Sequence, residues 1–562
     1  MLGRALFLCR EMQAIKNDAT LPLVIGVTGH RNFDAPNSRL VEAVRGELRR
    51  LRDLYPHSPF IIVSGLAEGA DRLVAKLAME TLSAKLIAIL PFPEAEYRKD
   101  FKSSESQEEF SDLLRKAQAV VIAPQREDVA AVAAGGEPRN RQYARAGAYV
   151  VENCQVLIAL WDGLPARGVG GTGDVVQWRL TGEMPVEFSC SPEQRNVLWP
   201  KPATRLVHIH PATGEVKYVE PDTAPDTALQ AVDDYNRELQ DFLAQADVNV
   251  LDQAASNALG KCAGDSLVTA DARLKPLLKI FAAADGLASR NQQTDNKLIF
   301  TVALLLFLAM FFSNLTTWKW SMAFYALFLL VIALVARWAT RRRIETRFVD
   351  YRALAEGLRV AIFWRLGGLP RRVSQNYLNQ HLGVVSWIRE ALASAEMASL
   401  TTEAATLVPA ENRTALVREA WLQDQADYFD RKVERLQRQT KLLSRYTTAA
   451  FFVSWAVAIG KLVGKSAGSG SWLETATTNL VVLSGPFLAA GIALGFYRQK
   501  RALDGVMRRY ALSRELYDRA VARLQSGNYP AEVVLLQIGR EALNENADWL
   551  WLQRATPLKP RR

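Results

Sequence analysis

Four long apolar stretches without charged residues constrain this chain more than any other feature. They lie in its second half, at 298–318, 320–336, 446–460 and 475–497. A helix that crosses a bilayer needs about 20 apolar residues. The sequence therefore predicts an all-α membrane region with four transmembrane helices in two hairpins, the third depending on Lys461 reaching towards the headgroups. The alternative, buried helices of a soluble protein, rarely gives adjacent pairs with basic flanks.

The basic residues indicate how these helices are oriented. The chain has a net charge of +10, and arginines crowd the end of the second stretch, the start of the third and the end of the fourth. Basic residues favour the cytoplasmic side, so the pattern predicts a multi-pass protein with both termini in the cytoplasm. A lipid bilayer explains this basic excess better than nucleic acid does, and no nucleic-acid partner is expected.

Metal-ligating residues are sparse. The four cysteines are scattered and form no Cys-x-x-Cys pair, which argues against a disulfide framework or a zinc site. His208 and His210 are two apart on a predicted strand, so they share one face. A polar strand face is the favoured interpretation over a metal site, and neither a metal nor a cofactor is predicted.

The two hairpins carry similar flanking sequences. Gln293-Thr294 precedes the first and Gln439-Thr440 the second, while Tyr351 and Glu356 after the first correspond to Tyr510 and Glu515 after the second. This repetition indicates a duplicated module, and chance similarity between amphipathic helices is the alternative. The predicted boundaries are 285–395 for the first module, 396–425 for a linker and 426–562 for the second.

These flanking residues resemble the SLATT family of two-transmembrane effector domains. The resemblance is carried by Tyr351, Glu356 and Arg359, by Tyr510 and Glu515, and by the terminal helix Glu541–Trp549. It implies a pore-forming or membrane-disrupting role in bacterial conflict systems, and hence the bacterial inner membrane. The charged helices beside the membrane could pack in a homo-oligomer or on their own chain.

Apolar runs alternate with helical patterns in the first half of the chain. Such alternation predicts a Rossmann-like α/β domain with a parallel sheet, here over 21–220. It would follow an N-terminal tail, 1–20, and precede a helical connector, 221–284. The helix between the first two strands is predicted at 38–54, and the strands at 21–25, 60–63, 85–90, 119–123 and 155–161.

Glycine-rich turns follow three of these strands, at 26–31, 64–71 and 168–174. Ligands bind parallel sheets at the carboxyl ends of the strands, and helix starts there favour phosphate. Ordinary tight turns are the alternative. The candidate ligand-binding residues are Thr28, Gly29, His30, Arg31, Ser64, Gly65, Glu68, Gly69, Asp71, Arg72, Gly170, Gly171, Thr172 and Asp174.

The three turns resemble the SLOG superfamily, which includes the LOG phosphoribohydrolases, the DNA-processing A proteins and the N-terminal domains of melastatin-type TRP channels. The resemblance implies a nucleotide or ADP-ribose-like ligand. Enzymatic LOG members carry Pro-Gly-Gly-x-Gly-Thr-x-x-Glu, whereas this chain has Gly170-Gly-Thr-Gly-Asp174, without the proline or the glutamate. That departure puts hydrolysis in doubt.

The sequence leads to one main functional hypothesis and two alternatives. The first is a membrane effector gated by a nucleotide-derived second messenger in bacterial antiviral defence, with no catalytic residue. The second is a membrane-anchored nucleotide N-glycosidase that uses Glu68, Asp71 or Asp174. The third is a scaffold whose pocket has degenerated.

Overall fold

The structure of the chain is a computed structural model. The residues that it describes are 19–31, 38–189, 205–219, 227–245, 267, 271–314, 319–342, 344–377, 382–401, 409–466, 503–555 and scattered positions from 485 to 498.

A seven-stranded sheet forms the N-terminal part, with the strand order β4-β3-β2-β1-β5-β6-β7. Six strands are parallel neighbours and β7 runs antiparallel to β6. The prediction of a parallel sheet is thus confirmed for six strands. The sequence also predicts a hairpin over 205–219 with its turn at 211–214, and the antiparallel pair of β6 and β7 confirms it. The strands are β1 Leu23–Gly29, β2 Phe60–Ser64, β3 Lys85–Leu90, β4 Ala119–Ile122, β5 Val156–Leu160, β6 Leu206–Ile209 and β7 Val216–Val219.

Helices connect the strands and cover both faces of the sheet. The first, α1, has the predicted bounds, and its buried residues Leu40, Val44, Leu48 and Leu51 recur at helical spacing towards one core cluster. Val24, Val63 and Leu157 belong to the cluster on the opposite face. These helices are α1 Ser38–Leu54, α2 Ala70–Leu82, α3 Glu94–Tyr97, α4 Ser104–Lys116, α5 Val129–Ala134, α6 Glu137–Asn153, α7 Thr172–Thr181 and α8 Thr227–Gln245.

The remainder of the described chain is helical. A π-helical turn, Arg418–Gln423, precedes the longest helix. The helices are α9 Leu274–Asn314, α10 Ser321–Arg342, α11 Ile344–Leu366, α12 Leu382–Ala398, α13 Ala410–Val417, α14 Asp424–Ser466, α15 Leu503–Ser526 and α16 Ala531–Ala555.

Three of these helical stretches are long and apolar enough to cross a membrane: Leu274–Ser313, Ser321–Leu366 and Glu411–Gly460. They overlap the first three stretches expected from the sequence and include the whole of the third, 446–460. The fourth stretch, 475–497, lies almost wholly outside the described residues. The fourth transmembrane helix therefore stays a prediction.

The chain divides into two compact units. Unit 1 comprises Met1–Gly286, Arg352–Val417 and Ala531–Arg562, and unit 2 comprises Leu287–Tyr351 and Arg418–Pro530. Unit 1 thus combines the sheet with helices from both halves of the sequence. The modules 285–395 and 426–562 cut the chain elsewhere, and they stay a prediction about repeated copies rather than about packing units.

Helix α12 of unit 1 lies at the edge of the sheet where the strands begin. Its Glu390 accepts hydrogen bonds from Arg205 at 2.9 Å and from Gln155 at 3.1 Å, and these residues precede β6 and β5. Burial alone would raise the pKa of Glu390, but Arg205 and Gln155 hold it below its usual range. The ion pair between Arg205 and Glu390 therefore connects helix α12 to the sheet.

Candidate functional site

The sheet topology identifies one edge as the place for a ligand. Strands β2, β3 and β4 follow β1 to one side, whereas β5 lies on the other side of β1. The connections therefore reverse direction between β1 and β5. In open α/β sheets, ligands bind in the crevice outside the carboxyl ends of the strands at such a switch point.

The first two glycine turns meet at this crevice. The backbone N–H of Ala70 donates to the His30 carbonyl at 3.1 Å. A Cβ on Gly69 would lie 2.3 Å from the Arg31 carbonyl oxygen, and the φ of Gly69 is +80°. Only glycine permits both that approach and that conformation. The two turns therefore form one continuous surface beyond β1 and β2.

His30 joins this surface to the end of β5. Its Nε2 lies 3.0 Å from a carboxylate oxygen of Asp162, and its backbone N–H donates to the Leu160 carbonyl at 3.1 Å. The pKa of Asp162 is lowered, first by the N–H of Leu164 and also by His30. Asp162 is thus an ionised partner that orients the imidazole. The sequence placed Asp162 after the last core strand but not among the candidates.

Arg31 is the exposed cation of the site. Its guanidinium lies 4.5 Å from the centre of the Tyr143 ring on α6. Desolvation would lower the pKa of Arg31, but Tyr143 and Asp71 hold it above its ordinary value. Arginine grips phosphate with paired N–H groups, and an aromatic face beneath it fixes its orientation.

Asp71 is a carboxyl group of this site whose pKa is raised. Burial raises its pKa to about 7, against the N–H of Ala67 and the charge of Arg31, which lower it. One of its oxygens lies 3.4 Å from the Ala67 nitrogen. A carboxyl group with such a pKa can both donate and accept a proton at neutral pH.

Tyr143 belongs to a polar cluster that sequence reasoning missed. Its hydroxyl donates to Asp100, which also accepts from Arg139 at 2.8 Å. Burial raises the pKa of Tyr143 to about 12, so the hydroxyl stays neutral. Nothing in the helical pattern of α6 distinguishes Tyr143 from its neighbours in sequence.

Three candidate residues of the second turn form hydrogen bonds or ion pairs within the protein. Arg72 is buried and donates to the Leu66 carbonyl at 3.0 Å and to Glu109 at 2.8 Å. The Ser64 hydroxyl donates to the Asp71 carbonyl and accepts from the Leu66 N–H. Glu68 accepts from the Ser106 hydroxyl. These contacts favour a supporting role, in which the second turn is held against α4.

The third glycine turn is arranged differently. Gly170 packs on α6, where an added Cβ would lie 2.4 Å from Ala144, and its N–H donates to Asp174 at 2.9 Å. Gly171 caps α7, whose first turn contains Thr172 and Asp174. An acidic side chain at a helix start occupies the position that an anion would take. Within the described residues, no hydrogen bond or ion pair joins 168–174 to the first two turns.

The geometry therefore brings together Thr28, Gly29, His30, Arg31, Gly65, Gly69 and Asp71 with Asp162 and Tyr143. Gly170, Gly171, Thr172 and Asp174 lie beside α6 with their own internal partners. The described residues contain no group of three or more His, Cys, Asp or Glu side chains that could hold a metal ion.

Comparisons with known proteins assign no family to this chain. No protein-family model matches it, and no curated protein matches it in sequence.

Proposed function

We propose that this chain is a membrane effector that binds a nucleotide-derived second messenger and permeabilises or conducts through its apolar helices. Binding would occur at the carboxyl ends of β1, β2 and β5. The observation that carries this proposal is the exposed Arg31 stacked on Tyr143 at the switch point of the sheet. SLOG-like sensing and SLATT-like membrane activity in bacterial defence are parts of the same proposal.

The chemistry of the site fits a nucleotide of low charge. Arg31 offers paired donors to one phosphate, and Tyr143 offers an aromatic face. The carboxylates Asp71 and Asp162 can accept from ribose hydroxyls, as acidic groups do in dinucleotide sites. Because the ionised Asp162 and the partly ionised Asp71 oppose the charge of Arg31, the site disfavours a long polyphosphate and favours an ADP-ribose-type or cyclic nucleotide.

The membrane half supports an effector more than a transporter. None of the four apolar stretches contains an acidic residue or an arginine. Proton-coupled transporters carry such groups inside the membrane, where they bind the coupling ion. The proposal therefore includes a multi-pass protein of the bacterial inner membrane with cytoplasmic termini, acting as a homo-oligomer around a pore or a membrane defect.

Gating requires a ligand that distinguishes two states. A ligand shifts an equilibrium only by the difference between its affinities for the two states. Moving a population from 1:99 to 99:1 takes about 5.5 kcal/mol of differential binding. Contacts from Arg31 and Asp162, which lie on turns after different strands, can supply such a difference if ligand binding draws the two turns together.

A thermal-shift experiment tests the binding step. The full chain in detergent is mixed with AMP, ADP-ribose and cyclic ADP-ribose, and its unfolding midpoint is measured. At least one ligand should raise the midpoint of the wild type and of Arg141→Ala, which removes an arginine from the same helix that carries Tyr143. Arg31→Ala should abolish that rise. An equal response from Arg31→Ala would place the binding site elsewhere.

A second candidate function rests on the pKa of Asp71. A carboxyl group whose pKa is about 7 and that lies beside an arginine suits general acid–base catalysis, which a nucleotide N-glycosidase requires. This reading predicts that the purified protein releases free base from AMP and that Asp71→Asn stops the release. Binding without any release of base would leave the effector as the only function of the site.

A further inference from the structure

Helix α14 separates its charges along its length. Asp424, Asp427, Asp430 and Glu434 are all in its first three turns. From residue 435 to residue 445 the charged residues are all basic, and the apolar stretch starts at Tyr446. The charge therefore changes sign towards the membrane along one continuous helix.

Two of these acidic residues form ion pairs within unit 2. Asp430 lies 2.5 Å from Arg514 of α15, and Glu434 lies 3.5 Å from Arg438 in a solvent-exposed pair that a lipid phosphate can replace. Lys441 and Arg445 are exposed and have no ion pair with another residue in the described part of the chain. Positive charge is thus left at the membrane-proximal end.

The positions of the basic residues match the lipid headgroup layer. Arg438, Lys441 and Arg445 fall within about 60° of one another around a helix that turns about 100° per residue. At about 1.5 Å per residue, Lys441 lies about 8 Å and Arg438 about 12 Å before Tyr446. Each headgroup layer is about 5–8 Å thick, and charges act over about 8 Å in physiological salt.

The first hairpin carries a similar feature. Arg337 and Arg341 follow the apolar part of α10 one helical turn apart, and both are exposed. Trp338 between them is 47% exposed, as suits an aromatic residue at the membrane interface. Both hairpins thus place exposed arginines directly beside an apolar stretch.

We propose that these basic flanks, Arg337 and Arg341 on α10 with Arg438, Lys441 and Arg445 on α14, bind the phosphate groups of anionic lipids. This inference depends on the membrane part of the proposed function and not on its ligand site. A phospholipid is the occupant because the basic residues continue into apolar surface, which a nucleic acid would leave unburied. Each basic residue near an anionic surface adds to the affinity for that surface.

The test measures unfolding of the full chain in a zwitterionic detergent as phosphatidylglycerol is added. We expect a saturable rise of several degrees in the midpoint, reduced at 0.5 M salt, and no rise with phosphatidylcholine or soluble glycerophosphate. The combined variant Arg438→Gln, Lys441→Gln, Arg445→Gln should lose more than half of the response. The matched control Arg431→Gln, Lys432→Gln, Arg519→Gln removes the same charge farther from the apolar stretch and should keep it.

A charge-conserving variant, Arg438→Lys with Arg445→Lys, should also keep the response and shows whether the helix tolerates substitution. Full response from the glutamine variant, or equal loss from the control, would overturn the proposal. Alkaline extraction of membranes distinguishes a failure of lipid binding from a failure of membrane insertion. A protein that stays in the pellet without a phosphatidylglycerol response refutes lipid binding alone, whereas a protein that is extracted refutes the membrane part as well.

Discussion

The two units differ in how far they expose large apolar side chains. In unit 1, large residues such as Trp364 and Tyr377 are fully buried, and the partly buried acid Glu390 is paired with Arg205. In unit 2, Phe300, Phe452 and Trp455 are 69%, 63% and 62% exposed. A surface of this kind would aggregate in water. The difference agrees with the length and apolar composition that would let the long helices of unit 2 cross a membrane.

Unit 1 also shows how distant parts of the sequence share one core. The Trp364 ring nitrogen of α11 donates to the Leu535 carbonyl of α16 at 3.0 Å. An added Cβ on Gly539 would lie 2.1 Å from that nitrogen, so glycine is required there. The end of α11 therefore packs on α16 within unit 1, although the two contacting residues are 171 positions apart in the sequence.

The largest expected effect contrasts two exposed leucines of unit 2. Leu330 lies in the middle of α10 and Leu512 in α15, outside the apolar stretches. An arginine at a membrane helix centre costs about 3 kcal/mol, so Leu330→Arg should prevent insertion of the first hairpin. Labelling of Lys319→Cys by an impermeant maleimide from outside the cell measures insertion. Leu512→Arg should leave labelling unchanged, and equal behaviour of the two variants would contradict a lipid-facing α10.

A second prediction concerns the ion pair that fastens α12 to the sheet. Glu390→Ala removes the carboxylate that contacts Arg205 and Gln155, and the free energy of unfolding of unit 1 should fall by about 3 kcal/mol. Because the pKa of Glu390 is lowered in the folded state, this stabilisation exists above the ordinary glutamate pKa and is lost as pH falls through the lowered one. Denaturant unfolding at pH 7 and pH 3 measures both effects, with the exposed Glu411→Ala as control. A free energy of unfolding for Glu390→Ala equal to that of the wild type at pH 7 would contradict this prediction.

A third, smaller effect is the pH dependence contributed by Asp71. Its pKa is raised to about 7 in the folded chain, so its contribution is complete below the unfolded pKa and is lost as pH rises towards 7. Between pH 5 and 7 the wild type should lose about 1 kcal/mol per pH unit relative to Asp71→Asn. Parallel stability curves for the two proteins over that range would show that Asp71 is ionised throughout.

The parts of the fold that follow from local pattern were predictable. Helix α1 was predicted with its observed bounds because its apolar residues recur at helical spacing. The strands were predicted because each is a short apolar run. Two glycine turns could be expected to meet because the strands before them are neighbours. Arg31 and Arg72 looked equivalent in sequence, since each stands beside a glycine turn.

The rest depends on tertiary packing that the sequence does not display. Arg72 is buried because its guanidinium pairs with Glu109 and lies over the ring of Phe101. Tyr143, which contacts Arg31, lies 112 residues after it in the sequence. Gln155 and Glu390 are 235 residues apart. No local periodicity links such pairs, so the third turn and the boundary of unit 1 were beyond pattern reasoning.

The most direct measurement of the central claim is ligand-dependent leakage of vesicles that contain the full chain. The ligand is whichever of AMP, ADP-ribose and cyclic ADP-ribose raises the unfolding midpoint most. The account predicts that this ligand releases a trapped dye from vesicles with wild type or Arg141→Ala, and not from vesicles with Arg31→Ala. Leakage that is the same with and without the ligand, or the same for Arg31→Ala, would contradict gating from the strand ends of unit 1.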